Sequence, residues 1–213
     1  MAAFGRNPID IAPFNTTADP SAGHNTGHYQ LAFADFYAGE AAVPPSTGGY
    51  FTIITIVRQP ASVGNITLSS ISPFEQPLIN ANLLGEYYDV ATMREALKAA
   101  IRVAQSPALS DGFIAAPFGA LAEAVAAGAT DGALEAFARN FSGTSLQPSG
   151  STRMTRVGGT DGVLDPTLKV VGTIGLRVVD AGSMPFGPSA SCQAGVYVLA
   201  ERAADIIKAD ALP

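Results

Sequence analysis

The clearest periodicity lies in the middle of the chain. From Asp89 onward Met93, Leu97, Ile101 and Ala104 recur at helical spacing, while Arg94, Lys98 and Arg102 fall on other faces. This pattern predicts an amphipathic helix over about 90–105 with Asp89 as its N-cap. Two shorter helices follow, Phe118–Ala127 and Asp131–Phe141, the second with Leu134, Phe137, Ala138 and Phe141 at i, i+3, i+4 and i+7. Before them the period drops toward two: Gly49–Arg58 is β-branched and aromatic, and Gly64–Ser70 alternates after a Pro60–Gly64 loop. His28–Tyr37 alternates in part and carries four aromatics, Tyr29, Phe33, Phe36 and Tyr37, as another strand or a pocket wall. Residues 1–28 read as an extended arm rich in Pro, Gly, Asn and Thr, and 142–175 as a long punctuated loop. Gly175–Asp180 has the pattern of a buried strand. Cys192 to about Lys208 reads as a helix whose apolar first half predicts burial on all sides.

These elements imply an α+β fold: a mainly antiparallel sheet of five or six strands with helices on one face, extended by a C-terminal strand and helix. The expected division is an arm over 1–28, a substrate-binding domain over 29–162, and a C-terminal segment over 163–213 packed on it.

Composition narrows the function classes. Of 213 residues 47% are hydrophobic and 14% charged, so polar cover is thin and a partner face, self-association or a complementary chain is expected. The net charge of −6 is spread along the chain without a basic run, which argues against nucleic acid. No apolar stretch reaches the roughly 20 residues that span a bilayer, and the N-terminus lacks a secretory pattern, so the chain as written reads as cytoplasmic and without a membrane. A single cysteine, Cys192, excludes an internal disulfide framework. His24 and His28 stand four apart but are separated by Asn-Thr-Gly, which disfavours a shared helix face, so no metal is expected. Sequons occur at Asn15, Asn65 and Asn140, and matter only in a secreted protein.

The stretch Gly162–Gly172, then Gly175-Leu-Arg-Val-Val-Asp-Ala-Gly-Ser-Met-Pro185 and Gln193-Ala-Gly-Val-Tyr-Val-Leu-Ala-Glu-Arg-Ala-Ala-Asp205, resembles the C-terminal signature of glucose–methanol–choline (GMC) oxidoreductases. Upstream, Val63–Leu68, Pro73–Asn80 and Thr92–Ala96 are similar to the substrate domain of the fungal aryl-alcohol-oxidase branch. The ordered matches run over about residues 28–208. Members of the family cradle FAD with an N-terminal strand, a GxGxxG turn and a helix. This chain contains no GxGxxG; Gly48-Gly49 and Gly158-Gly159 read as turns. No bound FAD is therefore expected unless a partner chain supplies that fold; with flavin bound, Asp180 would lie near its polar chain, and without it Asp180 caps the next turn.

The resemblance also implies two catalytic positions. A His-Pro-x-Gly base reads Gln147-Pro-Ser-Gly here, and the second polar residue across the pocket falls on Ser191 in Ser189-Ala-Ser-Cys-Gln-Ala194. Glutamine donates and accepts hydrogen bonds but takes up no proton near neutral pH. Gln147 is open to two roles, a pocket donor or a loop residue bonding backbone. Ser191 is a nucleophile or, like Ser189, an N-cap; Cys192 is a small buried residue or a thiol activated by a helix N-terminus. Leu146, Cys192 and Gln193 join the four aromatics as candidate pocket residues, and those aromatics are open to the alternative of ordinary core. The expected function is binding of a small aromatic or isoprenoid-like molecule without flavin, with a non-redox cyclisation, isomerisation or pericyclic step if the site is catalytic. The alternatives are one half of a split FAD-dependent alcohol oxidoreductase, and a non-catalytic, lectin-like binding module.

Overall fold

The structure, a computed structural model, describes residues 1–8, 19–21, 23, 25–38, 46–114 and 116–211; His24 and Asn15 lie outside them. The fold is α+β, with small antiparallel sheets and helices, and it groups into two compact units. The first comprises Met1–Val63 and Asn82–Gly143, the second Gly64–Ala81 and Thr144–Pro213. This grouping cuts across the sequence division at 28 and 162.

In the first unit β1 (Ala2–Gly5), β2 (Tyr29–Ala34) and β3 (Thr52–Val57) form an antiparallel sheet in the order β1-β2-β3. The arm expected over 1–28 thus contributes a strand: Gly5 pairs with Tyr29 and Ala2 with Ala32. Gly5 is required there, because a Cβ on it would sit 2.2 Å from the Tyr29 ring. The central helix α1 (Tyr87–Ala104) uses two faces. Ala96 and Ala100 meet Tyr29 and Leu31 of the sheet, and the small side chains permit close approach. On the other face Val90 and Leu97, with Met93 and Ile101, pack against Leu134 and Ala138 of α4 (Asp131–Phe141) and Ala124 of α3 (Ala120–Ala126). A one-turn helix, α2 (Pro107–Ser110), follows α1 with Pro at its start, where the missing N–H costs nothing. Thr130 caps α4, its hydroxyl accepting from Ala133 N.

Asp89 does not cap α1. Glu86 occupies the N-cap, and Asp89, buried in the first helical turn, turns its carboxylate on the preceding loop. It accepts from the Ala61 and Ser62 amides at 2.8 Å each and from the Ser62 hydroxyl. Three donors satisfy a carboxylate that burial would otherwise penalise by several kcal/mol.

The single five- or six-stranded sheet expected from the sequence is not formed among the described residues. The second unit instead holds a two-stranded ribbon, β4 (Asn65–Thr67) with β5 (Leu78–Asn80). Gly175–Asp180, expected as a buried strand, makes only an isolated bridge from Arg177 to Lys169, because its neighbours 163–171 are turns rather than a strand to pair with. Its core is Leu164, Leu168 and Ala203, flanked by Met154, Val170, Val178, Val179 and Leu199. The last helix, α5 (Cys192–Ala211), touches that core through the Leu199 and Ala203 stripe. Burial on all sides is not what α5 shows: Tyr197 and Val198 are 66% and 71% exposed. Its apolar first half has more area than one small core can cover. No helix among the described residues is long and apolar enough to cross a membrane, and none of their His, Cys, Asp and Glu side chains cluster as a metal site.

One buried polar group makes stability depend on pH. The His28 imidazole accepts from the Asn7 amide on Nδ1 at 3.1 Å, and Nε2 lies 3.3 Å from the Asp19 carboxylate, which also pairs with Arg6. Burial pushes the His28 pKa below its usual value; Asp19 raises it and Arg6 lowers it, and burial wins. Partial burial pushes Asp19 up, but hydrogen bonds from Ser21 and the charges of His28 and Arg6 hold it at about 2, so it stays ionised. With a native pKa below the unfolded one, the unfolded chain binds the extra proton first, and the His28 contribution is full above about pH 6.5 and lost as pH falls through the native value. Urea unfolding at neutral and mildly acidic pH should therefore show stability falling on acidification, and His28→Asn should flatten that slope.

Candidate functional site

The site grows from a backbone ladder in the second unit. Gly150 N donates to Ala181 O at 3.0 Å, Thr152 N to Gly182 O at 2.9 Å and Met154 N to Ser183 O at 3.0 Å. These bonds hold the loop that carries Gln147 beside the 3-10 turn Ala181–Ser183. Asp180 caps that turn, accepting from Gly182 N at 2.7 Å, which is the structural one of its two expected roles.

Just before Gln147 the chain passes through a left-handed residue. Leu146 has φ 58° with its side chain 83% exposed, a conformation that costs a non-glycine residue about 1 kcal/mol. Its amide donates to the Thr144 hydroxyl at 3.0 Å, which braces the bend. The side chain that follows this bend reaches the start of α5. Gln147 Oε1 accepts from Cys192 N at 2.8 Å, the first amide of α5. A glutamine 45 positions away thus satisfies the first amide of the helix. The same bond brings together the two motifs that sequence alone could only set side by side.

With one hydrogen bond on its oxygen, Gln147 still has its NH2 group and one lone pair to offer a ligand. Cys192 is a half-buried free thiol, its Sγ 4.0 Å from Gln147 O. Ser191 is exposed and lines a shallow concavity of about 420 Å³ with Ala190, Gln193, Ala194 and Tyr197. Tyr197 is a lining residue that the sequence reading misses, although its i, i+4 spacing from Gln193 and i, i+3 spacing from Ala194 puts the three on one helix face. The four aromatics lie in the first unit. Tyr29 is buried in the core. Phe33 packs beside it and stacks on Phe51 at 6.1 Å, so these two take the core role. Phe36 is exposed, and Tyr37 meets Tyr50 and Phe118 edge-on at 5.3 and 6.1 Å.

Residues 60–200 match the family model described as GMC oxidoreductase. The chain belongs to the GMC oxidoreductase family. This GMC chain is 30% identical to pyranose dehydrogenase 3 of Leucoagaricus meleagris over 203 residues, which cover 89% of this chain and 32% of that protein. A variant of Aspergillus oryzae formate oxidase, studied for FAD modification, superposes with a TM-score of 0.83 at 26% identity, covering 99% of this chain and 38% of that one. A fungal aryl-alcohol oxidase shares the fold, with a TM-score of 0.63 at 24% identity over 85% of this chain and 27% of that one. The chain spans about a third of the length of the curated relatives it matches.

A flavin would need polar groups of this chain to hold it. The Thr152 hydroxyl is buried without a hydrogen-bond partner, and Asp180, Ser151 and Thr152 crowd Gly182 so closely that a Cβ there would lie 2.8 to 3.0 Å from them. An orphaned hydroxyl is a group that a polar ligand, such as the polar chain of a flavin, would satisfy.

Capping by Gln147 has a measurable consequence. Gln147→Ala removes the acceptor for an α5 terminal amide and should cost about 1 kcal/mol of stability, whereas Gln147→Glu keeps an acceptor and should cost little. Urea unfolding of both variants checks this.

Proposed function

We propose that this GMC family chain binds a small apolar molecule, aromatic or isoprenoid-like, at the concavity beside the start of α5, and does so without flavin. Any reaction promoted there is a non-redox one, a cyclisation, isomerisation or pericyclic step, in which the protein holds one conformer and offers hydrogen-bond donors. The observation that carries this reading is the bond from Cys192 N to Gln147 Oε1. Where the family resemblance implies a proton-accepting histidine, this chain has an amide whose oxygen is already engaged. Abstraction of an alcohol proton needs a group that takes up charge near the working pH, and neither an amide nor a serine hydroxyl does so unaided. What the two side chains retain is hydrogen bonding: the Gln147 NH2 and the Ser191 hydroxyl can orient a polar atom of a ligand whose body rests on Ala190, Ala194 and Tyr197.

A second reading has its own support, the orphaned Thr152 hydroxyl. In that reading the chain is the C-terminal part of a split or longer FAD-dependent alcohol oxidoreductase, with Thr152 and Asp180 holding the polar part of the cofactor. A flavin, when bound, supplies a hydride acceptor. The residues of this chain would then bind and orient the alcohol, and proton removal would fall to a group other than Gln147.

Two measurements on the purified chain separate the readings. Titration with FAD should give no stable yellow complex, and titration with an apolar aromatic ligand should give saturable quenching of tyrosine fluorescence. Tyr197→Ala, which removes an aromatic contact of about 1 kcal/mol, should weaken that binding roughly five- to tenfold. Stoichiometric flavin with oxidation of an aryl alcohol would overturn the proposal; binding without any turnover would reduce it to a binding module.

A further inference from the structure

Residues 1–8 are held to the first unit chiefly by hydrogen bonds. None of them belongs to the apolar clusters around α1, and Asn7 is the one buried residue among the eight. Its side-chain amide donates to Thr92 Oγ1 of α1 at 2.8 Å, and its backbone amide to His28 Nδ1 at 3.1 Å. On either side of that contact β1 is a four-residue edge strand, tied down by His28 N to Gly5 O at 2.8 Å and by Phe33 N to Met1 O at 3.0 Å.

An imidazole that accepts on Nδ1 is neutral and carries its proton on Nε2, which here lies 3.3 Å from Asp19 Oδ1. A second proton makes both nitrogens donors. The Asn7 N–H then faces another N–H, and that contact must open. The groups around the ring do not relieve this. Asp19 favours the imidazolium but is already paired with Arg6, which disfavours it. Tyr88 of α1 meets the ring edge-on at 6.0 Å and, pushed up to about 12 by burial, stays neutral. Asp89, the next residue, is turned on Ala61 and Ser62. From the end of β3 buried Arg58 reaches His28 through the backbone, its amide donating to His28 O at 2.8 Å. Burial outweighs the pull of Asp19 and keeps the ring neutral at pH 7.

We infer that His28 is a pH-sensitive latch: protonation of Nδ1 parts it from the Asn7 amide and releases residues 1–8, with β1, from the sheet edge while α1 and its cores stay folded. Opening uncovers the Tyr29 ring that lies against Gly5 and makes β2 an edge strand. The latch belongs to the first unit, so it stands apart from the function proposed for the concavity beside α5.

Native-state hydrogen exchange of the whole chain between about pH 7.5 and 5, corrected for intrinsic exchange rates, tests this. The amides of Asn7, His28 and Phe33 should lose protection by up to about tenfold per pH unit below about pH 6.5, where the freed histidine takes up a proton and the latched one resists it. Their exchange should not respond to low urea, because release of a short edge exposes little surface; Leu97 and Ala100 in α1 should exchange only through a urea-sensitive opening. His28→Asn, whose Oδ1 takes the acceptor's place and does not titrate, should hold the three amides at constant protection over the same range. Protection of these amides that ignores pH, a urea response equal to that of α1, or a pH response that survives in His28→Asn would each overturn the inference.

Discussion

One hydrogen bond organises the second unit: the Cys192 amide donating to the side-chain oxygen of Gln147. The first amides of a helix have no partner within it, and in the absence of water each needs an acceptor. Here the acceptor comes from a loop 45 residues upstream, so capping the helix and closing the site are one event. The left-handed Leu146 makes this possible, and the ladder from Gly150 to Met154 fixes the loop that follows. The helix end and the bend at Leu146 meet in this one contact, next to the concavity lined by Ser191 and Tyr197.

The first unit shows how a carboxylate and a histidine do comparable work without chemistry. Asp89 ties a loop to the start of α1 by three donors, and His28 ties the arm to β2 through the Asn7 amide and Asp19. Both groups are buried, and both are satisfied by backbone or by charged neighbours. Buried titratable groups therefore do not by themselves mark a functional site.

Much of this was legible in the sequence, and the limits have physical causes. Helices α1, α4 and α5 were readable because each is long enough for a 3.6-residue period to repeat, and family membership was readable from ordered C-terminal motifs. The strand β1 was hidden because four residues, Ala2 to Gly5, carry no period, and the pairing that makes them a strand is with Tyr29–Ala32. Gly175–Asp180 had a strand's composition but no strand beside it, and composition does not report a missing neighbour. Asp89 was assigned to a cap because it stands just ahead of the apolar period, whereas the helix begins at Tyr87 and the carboxylate serves the loop. At the site, the sequence identified Gln147 and Ser191 as departures from a motif; that Gln147 meets Cys192, and that Leu146 bends to allow it, are tertiary facts.

In the proposed function the site engages its ligand by hydrogen bonds and shape and exchanges no proton with it. Calorimetric titration of an apolar aromatic ligand, carried out between about pH 5 and 7 in two buffers of different ionisation enthalpy, reads proton transfer directly. The account predicts the same binding enthalpy in both buffers and an affinity that does not change over that range. A buffer-dependent enthalpy would show a proton taken up or released on binding, and would contradict a site built on Gln147 and Ser191.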